Sequence, residues 1–216
     1  MNIKRIDINS YPRRAHFEYF KSMAYPYAGM TVNVDITELY NTIKKNSLPF
    51  FLTVLYTAAN AANGVPELRR RIQDGGIVEY DFCPASYTLA LEDGTFCYCR
   101  LDCNMPYGEF IEYAKQQQNK ARDEKSIDDG EDIDSMFFVS CIPWVSFTSL
   151  IQPVPCPADS NPRITFGKYF KEGDTVLMPV SLLVHHSLAD GLHISQFYGN
   201  FSKVSEKLCF QLQNNL

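Results

Sequence analysis

No apolar run in the 216 residues is long enough to span a bilayer, and the opening MNIKRIDINSYPRR lacks an apolar core followed by a small-residue cleavage site. Those two absences set the expected address as the cytoplasm. A long Lys/Arg run is also missing and the formal net charge is −5. A nucleic-acid partner is therefore not expected, because backbone affinity depends on clustered cations. The densest basic cluster, ELRRRI at 67–72, reads as a solvated helix face. There is no Gly-x-Ser-x-Gly elbow, no Cys-x-x-Cys pair and no calcium loop closed by a Glu at the required spacing. Their absence sets aside the serine-hydrolase, paired-thiol zinc and EF-hand classes. No internal repeat or linker divides the chain, so a single domain over 1–216 is expected.

What is present suits a well-buried core: 45% of the residues are hydrophobic and 13% aromatic. The seven cysteines (Cys83, Cys97, Cys99, Cys103, Cys141, Cys156, Cys209) are odd in number, and five lie in strand-like or apolar surroundings. They read as reduced thiols rather than a secreted disulfide framework.

Helical and strand periods alternate along the chain. RRAHFEYFKSM fits a short helix or an irregular entry segment equally well. DITELYNTIKKNS is an amphipathic helix with Asp35 as N-cap and Glu38 three positions on. PFFLTVLYTAANAANGV is a second, buried helix opened by Pro49 and closed by Gly64. From residue 77, GIVEYDF, ASYTLAL and TFCYCRL change to period two, the last two joined by a turn at Glu92-Asp93-Gly94. YGEFIEYAKQQQNKARDE returns to helix with Phe110, Ile111 and Ala114 on one face. The acidic run at 123–134 reads as a solvated loop. SMFFVSCIPWVSFTSL is a strand with an irregularity at Pro143, and the segment bearing Pro153, Pro155, Pro157 and Pro162 is a loop. RITFGKYFKEGDTVLMPVSLLV gives two strands around Gly173, and LHISQFYGNFSKVSEKL a final helix. The fold class expected is α/β, a mixed β-sheet covered by helices.

The stretch LLVHHSLADGLHIS joins the last strand to the last helix, so His185 to Gly191 form a strand-to-helix turn. A residue at the end of a buried strand is held rigidly while its side chain still faces a cleft, which suits a general base. Three plainer readings compete on the pattern alone. The first makes each histidine structural and Asp190 a plain helix N-cap. A metal clasp of His186 and Asp190 is the second, weakened by Gly191 and the preceding strand, so no metal is expected. The third is Cys or Ser nucleophilic catalysis, for which no sequence context is present.

HHSLADG fits the His-His-x-x-x-Asp-Gly signature shared by chloramphenicol acetyltransferases and the catalytic domains of dihydrolipoyl acyltransferases. Together with YPRRAHFEYF, FFVSCIPWVSFTSL and ITFGKYFKEGDTVLMPVSLLVHH, the chain resembles the chloramphenicol acetyltransferase family over nearly its whole length and in order. The resemblance implies a two-layer sandwich of the CoA-dependent acyltransferase type and an antibiotic-resistance setting. It implies that His186 is the general base, drawing a proton from an acceptor hydroxyl that attacks the thioester of acetyl-CoA directly, with His185 a structural neighbour. Acetyl-CoA is then a co-substrate and no cofactor is tightly bound. By the same resemblance Ser140 donates to the oxyanion, Thr165 holds a water near the intermediate, and Asp190 pairs with Arg13 while Arg14 stays in solvent. Trp144 and Lys168 are implied at the acetyl-CoA side, and Phe20, Thr88, Phe96 and Tyr98 at the acceptor side. The implied assembly is a homotrimer with each site between subunits. Two departures, Tyr98 for a small residue and Arg163 for an aliphatic one, are expected to shrink or polarise the acceptor pocket. The competing readings are the same mechanism on another hydroxyl or amine acceptor, and a ligand-binding homologue without catalysis.

Overall fold

Largely apolar, β-branched-rich runs in RITFG and TVLMPVSLLVH, each carrying one interior hydroxyl, build the two central strands, β8 (Arg163–Gly167) and β10 (Thr175–His185), in a computed structural model that describes residues 2–214. Around them runs one seven-stranded sheet in the order β2-β10-β8-β7-β5-β6, with the short β9 (Phe170–Glu172) pairing on β10. Here β2 is Tyr27–Asp35, β5 Ala85–Ala90, β6 Phe96–Leu101 and β7 Phe137–Ile142. The β5–β7 and β7–β8 pairs are parallel and the others antiparallel, so the sheet is mixed. A separate three-stranded sheet joins β1 (Ile3–Ile6), β4 (Gly76–Tyr80) and β3 (Arg70–Gln73). The helices are α1 (Arg14–Lys21), α2 (Thr37–Lys45), α3 (Phe50–Asn63), α4 (Tyr107–Glu124) and α5 (Gly191–Asn214). This is the α/β mixed sheet with covering helices expected from the chain's periods, in the acyltransferase arrangement that the resemblance implies.

Strand register divides the large sheet into two unlike faces. Tyr87, Cys99, Val139, Ile164 and Leu182 share one buried cluster with helix residues Leu55, Phe110, Phe197 and Phe201. Their chain neighbours point the other way. Thr31 faces Ser181, Ser181 faces Thr165, and Thr165 faces Ser140. Thr88 faces Tyr98, and the β5–β7 register carried one residue further sets Thr88 beside Ser140. One rung of hydroxyls therefore crosses the sheet on the face opposite the helical core.

Several local expectations are corrected. ELRRRI is not a solvated helix face: it splits into a 3₁₀ turn over Pro66–Arg69 and strand β3, and Arg71 is 1% exposed. Its guanidinium donates to the carbonyls of Leu68, Arg70 and Met136 at 2.7–2.9 Å, which is how a charge with no carboxylate partner among the described residues is accommodated there. The cap position of α2 is Ile36 rather than Asp35, although Asp35 Oδ1 still accepts the Thr37 N–H at 2.9 Å. The strand through SMFFVSCIPW stops at Ile142, because Pro143 has no N–H to continue the ladder. The region around Gly173 holds three strands, β8, β9 and β10, rather than two. Strands β1, β2 and β3 were not foreseen. In β2, Gly29 lets the edge strand approach closely, since a Cβ there would lie 2.9 Å from Leu183 Cδ1.

Candidate active site

The histidine corner is fixed first by its backbone. The N–H of His186 donates to Pro26 O at 2.7 Å, and those of Leu188 and Ala189 to His185 O at 3.0 and 3.2 Å, turning the chain tightly between β10 and α5. Asp190 Oδ1 accepts the Leu192 N–H at 3.0 Å and so caps α5, while Oδ2 is ion-paired with Arg13 Nη1. Asp190 thus both caps α5 and pairs with Arg13. The pair ties the segment before α1 to the corner. Arg14 is exposed.

His186 Nδ1 lies 3.0 Å from Ala189 O. A carbonyl oxygen only accepts, so Nδ1 carries the proton and Nε2 keeps its lone pair. The ring is half-buried and stacked on Phe20, centroids 3.8 Å apart at 28°. His185 is buried, its pKa pushed down to about 4 chiefly by that burial, and its Nδ1 accepts the Ser187 N–H at 3.3 Å. For Asp190 burial acts upward, but the Arg13 hydrogen bond and charge outweigh it and hold the carboxyl at about 2.

Arg163 does not present a free guanidinium, contrary to the expectation that it would polarise the pocket. It is buried, with Nη1 and Nη2 at 2.8 and 2.7 Å from the two Asp159 carboxylate oxygens, and it lies over the rings of Phe138 and Tyr27. The Tyr27 hydroxyl donates to Asp159 Oδ1 at 3.0 Å. A fork of two parallel bonds satisfies the charge within the chain.

Ser140, Thr165, Thr88 and Tyr98 occupy the hydroxyl rung. Thr165 is 1% exposed and its Oγ1 has no hydrogen-bond partner among the described residues. Phe96, at the exposed start of β6, stacks with Tyr98 at 6.0 Å. Beyond the ends of β7 and β8, Lys168 N donates to Val145 O at 2.9 Å, which brings the exposed Lys168 alongside Trp144, itself 74% exposed.

The candidate residues thus form two groups. One contains His186, Asp190, Arg13 and Phe20; the other contains Ser140, Thr165, Thr88, Tyr98, Phe96, Trp144 and Lys168. Ser140 stands two strands from Ser181, and His186 lies five residues beyond Ser181, just past the end of β10. At strand spacings of about 4.8 Å and a rise of about 3.3 Å per residue, the two backbones are about 19 Å apart. One reacting centre within about 3 Å of both side chains is not available inside a single chain.

Sequence reasoning missed four neighbours: Ser181 on the rung, Asp159 and Tyr27 at Arg163, and His193 beside Asp190. Only His193 carried a local signal, its place in the first turn of the helix that Asp190 caps. No group of three or more His, Cys, Asp or Glu among the described residues is arranged to hold a metal.

The same architecture is found in a solved chloramphenicol acetyltransferase, with a TM-score of 0.82 at 26% identity over 94% of this chain and 99% of that one. The dihydrolipoamide acetyltransferase of Azotobacter vinelandii shares the fold, with a TM-score of 0.66 at 14% identity over 90% of this chain and 86% of that one. The fold is that of an acyltransferase. A chloramphenicol acetyltransferase of Klebsiella sp is 33% identical over 209 residues, spanning 94% of this chain and 93% of the relative. With the family model for chloramphenicol acetyltransferase matching residues 1–202, the chain belongs to that family.

Proposed function

We propose that this protein transfers the acetyl group of acetyl-CoA to a hydroxyl of chloramphenicol or a similar small alcohol. The observation that carries the reading is the His186 tautomer: with Nδ1–H held by Ala189 O, the free Nε2 is the acceptor a general base needs. His186 takes the proton of the acceptor hydroxyl, whose oxygen forms a bond to the thioester carbonyl carbon. The carbonyl oxygen becomes an oxyanion that Ser140 stabilises by donating its hydroxyl hydrogen bond, with a water on Thr165 Oγ1 as neighbour. Collapse breaks the carbon–sulfur bond, and the imidazolium returns its proton to the departing thiolate. Asp190 and Arg13 hold the corner rather than touch the reacting atoms. Trp144 and Lys168 line the acetyl-CoA side, and Phe20, Thr88, Phe96 and Tyr98 the acceptor side.

The separation of His186 from Ser140 supports a site completed by a second copy, with a cyclic homotrimer as the assembly. Each copy is one domain along the chain. No helix among the described residues is long and apolar enough to cross a membrane, which fits a cytoplasmic enzyme whose product is an inactivated antibiotic. Tyr98 favours a second reading, in which the acceptor is a smaller hydroxyl compound, because a phenol on the rung takes space from the acceptor side. Thiol release from acetyl-CoA over a panel of antibiotics and simple alcohols separates the two. His186→Ala is expected to remove nearly all release at unchanged fold, and retained turnover rules out the assigned base.

A further inference from the structure

His193 is a buried titratable group that the proposed mechanism leaves unused. It sits in the first turn of α5, and every charged neighbour can be named. Its Nδ1 is 3.1 Å from the backbone N of Asp190 and 2.9 Å from Asp190 Oδ1. Its Nε2 faces Glu67 Oε2, in the 3₁₀ turn, at 3.8 Å. Glu67 is paired with Arg70 at 2.8 Å, Arg70 with Glu79 at 2.9 Å, and Arg13 pairs with Asp190 on the far side.

The two contacts of Nδ1 make opposite demands. To accept the Asp190 N–H, Nδ1 must hold a lone pair; to bond Oδ1 it must carry a proton. The rest of the arrangement favours the first. Asp190 Oδ1 already receives the Leu192 N–H and Oδ2 the Arg13 guanidinium, whereas among the described residues the Asp190 N–H has only His193 Nδ1. With Nδ1 accepting, the ring proton lies on Nε2 and points to the carboxylate of Glu67.

The Asp190 N–H belongs to the same peptide group as the Ala189 carbonyl, and that carbonyl receives His186 Nδ1–H. One planar unit therefore connects the two rings: His186 Nδ1–H to the carbonyl oxygen, and across the peptide the N–H to His193 Nδ1. Hydrogen bonds at the two ends of an amide polarise one another, so an acceptor on the N–H makes the carbonyl a stronger acceptor. We infer that His193 is a positioning residue, which holds the His186 imidazole in its Nδ1–H tautomer through the Ala189–Asp190 peptide. The inference rests on reading His186 as the base, and it extends the site to Glu67, which selects the His193 tautomer.

The test compares His193→Leu with His193→Asn in the full-length protein. The two are nearly isosteric, but only asparagine places an acceptor oxygen close to the position of Nδ1. Nitrogen-15 shifts of the histidine rings report the His186 tautomer, and acetyl transfer is followed in parallel. In the native protein a through-bond nitrogen–nitrogen coupling is expected between Asp190 N and His193 Nδ1, and its absence overturns the inference without any variant. His193→Leu is expected to mix the Nε2–H tautomer into His186 and to lower kcat about tenfold at little-changed KM for acetyl-CoA. His193→Asn is expected to restore both. An unmoved His186 tautomer in His193→Leu, or an asparagine variant as impaired as the leucine one, overturns the inference. A protein inactive on every acceptor whose His186 tautomer still follows residue 193 sinks the acetyl-transfer reading instead.

Discussion

Mixing two inactive variants is expected to create activity that neither possesses. The register places Ser140 on the rung opposite Thr165 and Ser181, while His186 lies past the end of β10. On the proposed mechanism, a productive site would then take His186 from one copy and Ser140 from another. Removing the base, as in His186→Ala, costs roughly 10²–10⁴ in rate, and Ser140→Ala costs roughly 10²-fold through the lost oxyanion donor. If the two variants are unfolded together in equal amounts and refolded, half the subunits supply the histidine and half the serine. An interface in a closed head-to-tail ring draws its two sides independently, so roughly a quarter of the sites are intact, whatever the number of subunits. Thiol release should then rise from near background for each parent to roughly a quarter of the native value, at unchanged KM. Folded variants mixed without subunit exchange are the control and should stay inactive. Activity of the co-refolded mixture no greater than the mean of its parents would refute the two-copy site.

Two further outcomes follow from the charged groups behind the corner. His185 has its pKa lowered from 6.5 to about 4, so the unfolded chain takes up the proton more readily. Its neutral form costs nothing above pH 6.5, and stability falls as pH drops from 6.5 to 4, by about 3 kcal/mol for this one group. Urea unfolding at pH 7, 5 and 4 should show that loss in the native protein and less of it in His185→Gln; equal losses contradict the assignment. Replacing Arg163 by leucine strands Asp159 and should cost about 3–5 kcal/mol in thermal or urea unfolding, whereas adding Asp159→Asn should recover most of it. Failure of the second substitution to help would show that the fork is not what Arg163 contributes.

Legibility in the sequence followed the range of the forces involved. Helix α3 was readable between Pro49 and Gly64 because its limits are set by a proline N-cap and by residues within one turn. The turn at Gly94, where φ is 83°, and the corner from His185 to Gly191 were readable for the same reason. Strand β2 was not, because an edge strand with Gly29 and exposed Asn33 needs little apolar alternation, and its partner β10 lies far along the chain. Arg71 was misplaced because its burial depends on the Met136 carbonyl, a contact across 65 positions. Arg163 looked like a ligand for want of Asp159, four positions earlier in a proline-rich loop whose path periodicity does not describe.

The hydroxyl rung shows where pattern and site part company. Period two predicts that Ser140, Thr165 and Ser181 leave the helical core together, yet such a pattern ordinarily marks a face open to water. Thr165 is instead 1% exposed, and its Oγ1 has no hydrogen-bond partner among the described residues. A buried hydroxyl left in that state costs stability that folding alone does not return. Catalysis gives the cost a use when a bound water or the developing oxyanion supplies the missing partner. The side chains that leave the helical core and the chemistry proposed for the assembled protein then fall on the same row.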